Sequence, residues 1–183
     1  MVRALSVLLA GLAVVQPATE RLTARDIDGT SWSLLAPPQD RLDLLFFLST
    51  DCPISNRYAP EIERMCREYS PKGVRCFAVY PDAVDEAVVR RHRREFGFPD
   101  TIPAIIDRTL VRAVAPRVTP EAAIYAQRGR LYRGRIDDLY VDVGRSRREP
   151  TRHDVRLALD AALGGRPVSM SDTQAIGCAI QQP

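Results

Sequence analysis

The sequence predicts one α/β domain of layered type. Three observations carry this: the apolar run Asp43-Leu-Leu-Phe-Phe-Leu48, the pattern of a strand buried on both faces; alternating strand and helix patterns from there to Phe96; and a hairpin signature followed by a closing helix. The 183 residues are 45% apolar and 27% charged, which suits one domain with a sizeable core and excludes a disordered, collagen-like or many-spanning chain. Lys72 is the only lysine among 26 basic residues, so the net charge of +3 reflects an arginine-biased composition, and nucleic acid is not an expected partner.

The elements follow in chain order. Arg3, the apolar run Ala4 to Val15, then Pro17 and Ala18 have the order of a secretory signal, and the run is too short to span a bilayer. Residues 1–19 are therefore read as a signal peptide. The bulky Gln16 two positions before Ala18 makes a poor cleavage site, which leaves an uncleaved N-terminal membrane anchor as the alternative. Either way the chain is expected to be exported, to a periplasmic or other extracytoplasmic space where disulfides persist. Arg21 to Gln39, with the turn pair Asp28-Gly29 and the stop Pro37-Pro38, reads as a hairpin. The buried strand ends at Ser49-Thr50-Asp51-Cys52-Pro53, and a helix runs from Pro53 to about Tyr69 with Pro60 inside it.

A second strand covers Val74 to Tyr80, and a helix from about Val84 to Phe96 is stopped by Gly97 and Pro99. Pro103 to Asp107 is extended, Leu110 to Ala115 a brief helix, and Glu121–Ala126 with Arg130–Asp137 a hairpin around Arg128-Gly129. Thr151-Arg-His-Asp154 resembles a capping box that opens a last helix to Leu163. Residues 20–165 thus form the expected domain, and 166–183 are a tail without periodicity that carries Cys178.

Cys52 is the first candidate for chemistry. A cysteine between a buried strand and a helix places its sulfur at the helix N-terminus, where unpaired N–H groups and the macrodipole favour a thiolate. Pro53 fits the first turn because the N–H it lacks would be unpaired there. Ser55 can offer a hydroxyl to the sulfur, while Asp51 opposes the thiolate.

The run FFLSTDCPISNRYAPEIERM resembles the active-site segment of thioredoxin-like proteins, with Pro60 at the spacing of that family's helix kink. Val118-Thr119-Pro120 and the following strand to Gly129 resemble its cis-proline strand. The resemblance covers about residues 20–165 and is closest to exported redoxins of the AhpC/TSA and TlpA-like kind with an Asp-Cys-Pro-Ile-Ser motif. It implies a three-layer α/β/α sandwich with a central mixed sheet, a cis peptide before Pro120, and Thr119 backbone groups facing an extended substrate. Ser55 stands where that family has its second cysteine, so Cys52 needs another partner. Ser49, three before the cysteine, and Pro53 also resemble peroxiredoxins, whose arginine beside the thiolate has no counterpart here.

Cys66 is excluded as that partner while the helix is intact, because fourteen helical residues rise about 21 Å and a disulfide needs Cα atoms about 4.4–6.8 Å apart. Cys76, in VRCFAVY, reads as core. The Gly-Cys-x-Ile ending around Cys178 resembles that of exported redoxins with the same motif and implies a resolving thiol; a surface thiol or a bond to Cys66 are the alternatives. A copper site is disfavoured because Asn56 stands where the copper-handling relatives of this fold have a second cysteine. His92, among Arg90, Arg91, Arg93 and Arg94, reads as part of a solvated face that could steer an acidic electron-transfer protein.

The expected activity is thiol-disulfide exchange by a Cys52 thiolate, supported by Ser49, Thr50, Pro53, Ser55, Thr119 and Pro120, with no cofactor and no metal. Its partners would be thiol or disulfide proteins. Antioxidant peroxide reduction at Cys52 is the alternative, and a redox-inactive binding module or a copper handler are further ones.

Overall fold

The computed structural model describes residues 21–82 and 85–180. The signal or anchor segment, the expected helix start at Val84 and the last three residues of the tail lie outside the described residues.

Strands β1 (Leu22–Arg25) and β2 (Ser31–Leu34) form the lead-in hairpin. Asp26 braces its turn by accepting from the amides of Asp28 and Thr30 and from the Trp32 indole at 2.7–3.0 Å. Then follow β3 (Leu42–Phe47), α1 (Pro53–Tyr69), a 3-10 turn at Ser70–Lys72, β4 (Val74–Val79) and α2 (Glu86–Phe96). The second half holds β5 (Ala104–Ile105), α3 (Arg108–Val114), β6 (Val118–Thr119), β7 (Glu121–Ala126), β8 (Gly129–Gly134), the pair β9 (Tyr140–Asp142) and β10 (Arg145–Ser146), α4 (Asp154–Leu163) and β11 (Cys178–Ala179).

The central sheet is mixed, in the order β5-β4-β3-β7-β8: β3, β4 and β5 run parallel, and β7 and β8 are antiparallel to their neighbours. Every residue of β3 is buried, as a strand covered on both faces requires. Leu44, Phe46, Cys76, Ala78, Ala122 and Ile124 pack under α1, α2 and α4. Leu45, Phe47, Phe77, Val79, Ala123 and Tyr125 face α3 and the β1–β2 hairpin. These are the expected three layers, with a hairpin sharing one outer layer.

Helix α1 buries Ile54, Tyr58, Ile62, Met65 and Tyr69, one stripe at helical spacing. The Tyr69 hydroxyl donates to Asp160 at 2.8 Å, and Arg156 binds Glu61 at 3.0 Å, so α4 is fastened along α1.

Two local expectations are corrected. The cap of α4 is His153 rather than Thr151, because Asp138 takes the Thr151 amide and hydroxyl at 2.7 and 2.5 Å. Strand β8 ends at Gly134 instead of Asp137. There φ is +150° and Thr173 of the tail fills the space of a side chain, its Oγ1 standing 2.1 Å from where a Cβ would be.

The tail is held at two places, although its sequence has no periodicity. Ser171–Thr173 lies along β8, with backbone bonds to Arg133 of 2.9 and 3.0 Å and the Thr173 hydroxyl 2.6 Å from that of Tyr132. Strand β11 then pairs antiparallel with β6, Cys178 opposite Thr119.

Candidate active site

Strand β3 delivers the chain to the N-terminus of α1, and Cys52 is the cap residue, with φ −89° and ψ 111°. Pro53 occupies the first turn, and no acidic side chain shares that turn. The Cys52 amide donates to the Ser49 carbonyl at 3.4 Å, and the Asn56 amide donates to the Cys52 carbonyl at 3.0 Å. Its side chain is 1% exposed.

Across from it, the Thr119–Pro120 peptide bond is cis. The Thr119 carbonyl oxygen lies 3.1 Å from the Cys52 sulfur. In the reduced protein that oxygen can accept from the thiol, and it opposes the thiolate that the helix end favours. Cys52 is bonded to Cys178, with a Cα separation of 6.0 Å inside the ordinary disulfide range. Cys66 and Cys76 are free and buried. Burial and the neighbouring Cys76 push the Cys66 thiol far up, so it is an inert neutral group.

The supporting residues fall around this centre in two ways. Ser55 is buried, and its hydroxyl accepts from the Ser49 amide at 3.4 Å, so these two serines clamp the turn to each other. This bond uses an oxygen lone pair, so the Ser55 O–H remains a donor at the turn that carries Cys52. The Thr50 carbonyl accepts from the Asn56 side chain at 3.3 Å, and Asp51 and Pro53 are exposed.

His92 is a correction. It is 4% exposed rather than solvated, with Nε2 2.8 Å from Asn56 Oδ1 and Nδ1 3.1 Å from the Tyr80 hydroxyl. Asn56 Oδ1 can only accept, so Nε2 carries the proton and Nδ1 accepts from Tyr80. The chain Tyr80–His92–Asn56–Thr50 thereby ties α2 to the active-site turn. Arg93 is also buried, donating to the carbonyls of Ile102 and Pro99 at 2.7 and 2.8 Å, and Arg90 binds Asp28 at 2.6 Å. The arginine cluster is therefore partly structural.

Burial holds the His92 pKa below its usual value. Folding then favours neutral His92, so its contribution is present above the unfolded value of about 6.5 and is lost as pH falls. His92→Phe is expected to cost about 1–3 kcal/mol at neutral pH, because Tyr80 and Asn56 lose a partner. It should also flatten the acid-side loss. Urea unfolding of both proteins at several pH values checks this.

One residue was not singled out in the sequence. Glu121, fully buried, accepts from the amides of Arg117 and Val118 at 2.6 and 3.3 Å and so holds β6 in place. A carboxylate opening the apolar strand EAAIYA was the available signal.

Known structures share this architecture. An uncharacterized conserved protein from Geobacillus kaustophilus is 26% identical, with a TM-score of 0.76 over 91% of this chain and 90% of that one. A thioredoxin from Neisseria meningitidis, so described from its solution structure, gives 0.55 at 19% identity over 63% and 77%. A protein described as the thiol:disulfide interchange protein DsbE from Chlorobium tepidum gives 0.53 at 17% identity over 63% and 81%. No family model and no curated protein matches the chain. The fold is thioredoxin-like.

Proposed function

We propose that the protein is an exported thiol-disulfide oxidoreductase in which Cys52 is the nucleophile and Cys178 the resolving thiol. The observation that carries this reading is the bond from the cap of α1 to a tail strand lying on the Thr119–Pro120 loop. The thioredoxin-like fold and its DsbE-described neighbour support the same chemistry. Residues 3–18 support export, into a space where such a bond persists.

The cycle needs no cofactor. The Cys52 thiolate attacks one sulfur of a substrate disulfide, and the other sulfur leaves as a thiolate that takes up a proton. Cys178 then gives up its proton, attacks the Cys52 sulfur and releases the first substrate thiol. Two electrons pass from the protein dithiol to the substrate. The reverse sequence oxidises a substrate dithiol.

Mass spectrometry of the reduced protein after exposure to glutathione disulfide tests this. The natural chain should lose two hydrogens, mapped to a Cys52–Cys178 bond. Cys178→Ser should stop with one glutathione on Cys52. An unmodified Cys52 in both proteins overturns the reading.

A further inference from the structure

The end of the tail lies on β6 as an incoming peptide would. Cys178 is paired with Thr119 and Ala179 with Val118, antiparallel, and the Ile180 amide donates to the Arg117 carbonyl at 3.3 Å. This is strand addition to an exposed edge, performed by the chain upon itself. Its side chains differ in what they meet. Ile180 is buried, and Ala179 points to solvent.

Gly177 is closely fitted against β6 and the Pro120 peptide. A Cβ at that position would stand 2.2 Å from the Thr119 carbonyl oxygen, 2.7 Å from its carbon and 3.2 Å from the Pro120 nitrogen. All three are backbone atoms, so no rotamer change relieves the contact. The Gly177 φ lies outside the left-handed region, so the position demands a residue without a side chain for reasons of space alone.

Resting on the exchange reading above, we propose that residues 177–180 are an internal copy of the substrate. The external partner is a protein cysteine in an extended segment, with glycine immediately before it and an aliphatic residue two positions after it, which replaces β11 on β6. In the forward cycle the Cys52 thiolate attacks the sulfur of that cysteine, whose disulfide partner leaves as a thiol. The segment then yields the edge to the tail, and Cys178 displaces it from Cys52 as a second thiol. The tail can leave and return because its root stays fastened to β8 through Thr173. Five residues from Thr173 to Cys178 reach at most about 17 Å, so the released thiol remains close to Cys52 and competes as a tethered ligand. Partners that fit the edge poorly lose to it.

The test uses the reduced full-length Cys178→Ser protein and the peptide Ala-Ile-Gly-Cys-Ala-Ile, its cysteine carrying thionitrobenzoate as a mixed disulfide. A second peptide has alanine in place of the glycine. Released thionitrobenzoate reads the attack by Cys52, and the symmetrical thionitrobenzoate disulfide reads the reactivity of Cys52 without a groove ligand. The glycine peptide should react at least about tenfold faster than the alanine peptide, with the preference gone in denaturing urea. Equal peptide rates beside a normal reaction with the symmetrical reagent overturn the substrate proposal alone. No reaction with that reagent overturns the exchange reading, and the proposal with it. In the otherwise natural chain, Gly177→Ala should move the Cys52–Cys178 equilibrium with glutathione about tenfold towards the thiols, and an unchanged equilibrium counts against the proposal.

Discussion

Reduction of the Cys52–Cys178 bond is expected to lower the thermal midpoint by roughly 10 °C. The bond joins residues 126 apart in sequence. Closing so long a loop restricts the unfolded chain, and removal of such a bond costs about 2–5 kcal/mol, each kcal/mol being worth about 2–4 °C in a chain of this size. Calorimetry with and without reductant should show the drop in the natural chain. Cys178→Ser should start at the lower midpoint and ignore the reductant. If the natural chain is insensitive to reductant, the bond does not cross-link the folded protein. The coupling also runs the other way: whatever the bond adds to folding, folding adds to the bond, so the disulfide is harder to reduce in the folded chain than in the unfolded one by the same free energy. A substrate able to open it must supply that difference, and replacing β11 on β6 is where it can be gained.

Much of this site was legible from local pattern. A strand apolar on both faces, Asp43 to Leu48, can only lie in the middle of a covered sheet, and a Cys-Pro pair directly after it fixes the sulfur at a helix end. The structure has β3, α1 and Cys52 in those places. The His92 error came from reading its arginine neighbours as a run rather than by helical spacing. Val89, His92, Arg93 and Phe96 recur at the intervals of one helix face, and the first three are buried while Arg91 and Arg94 are exposed. Arg93 escapes the usual rule for buried charge because two carbonyls receive its guanidinium. The resemblance pointed to Cys178, but where the tail pairs was illegible for a different reason. A two-residue pairing such as β6 with β11 produces no periodicity, and the demand on Gly177 is set by the Thr119 carbonyl, 58 positions earlier in the sequence.

Arg75→Met is expected to destabilise the protein strongly at pH 7.5 and much less at pH 4.5. Asp43 and Arg75 are neighbours across β3 and β4, and Arg75 donates to Asp43 Oδ1 through Nε at 2.8 Å and to the Ser33 carbonyl through a second nitrogen at 2.8 Å. The Asp43 side chain is fully buried, and its other oxygen has no partner. Burial pushes its pKa up to about 6 even though Arg75 pulls it down. The folded state therefore binds a proton that the unfolded state, with a value of about 3.9, has already released. Between those values stability falls as pH rises, by about 3 kcal/mol in all, and the contribution is complete only below the unfolded value. This trend opposes that of His92, and Asp43→Asn should remove it while leaving the His92 loss in place. Without Arg75 the carboxylate at pH 7.5 is a buried charge with no counterion, a loss of about 3–5 kcal/mol. At pH 4.5 Asp43 is protonated, and mainly the hydrogen bond to Ser33 is missing. Urea unfolding at the two pH values measures the difference, and equal losses at both would show that the pair contributes by packing alone. Asp43 is the second residue of β3, whereas Cys52 follows its far end, four residues or about 13 Å of strand from Asp43 to Phe47 and a turn beyond. The pH dependence of exchange by Cys52, measured well below the unfolding transition, should therefore be the same in Arg75→Met as in the natural chain.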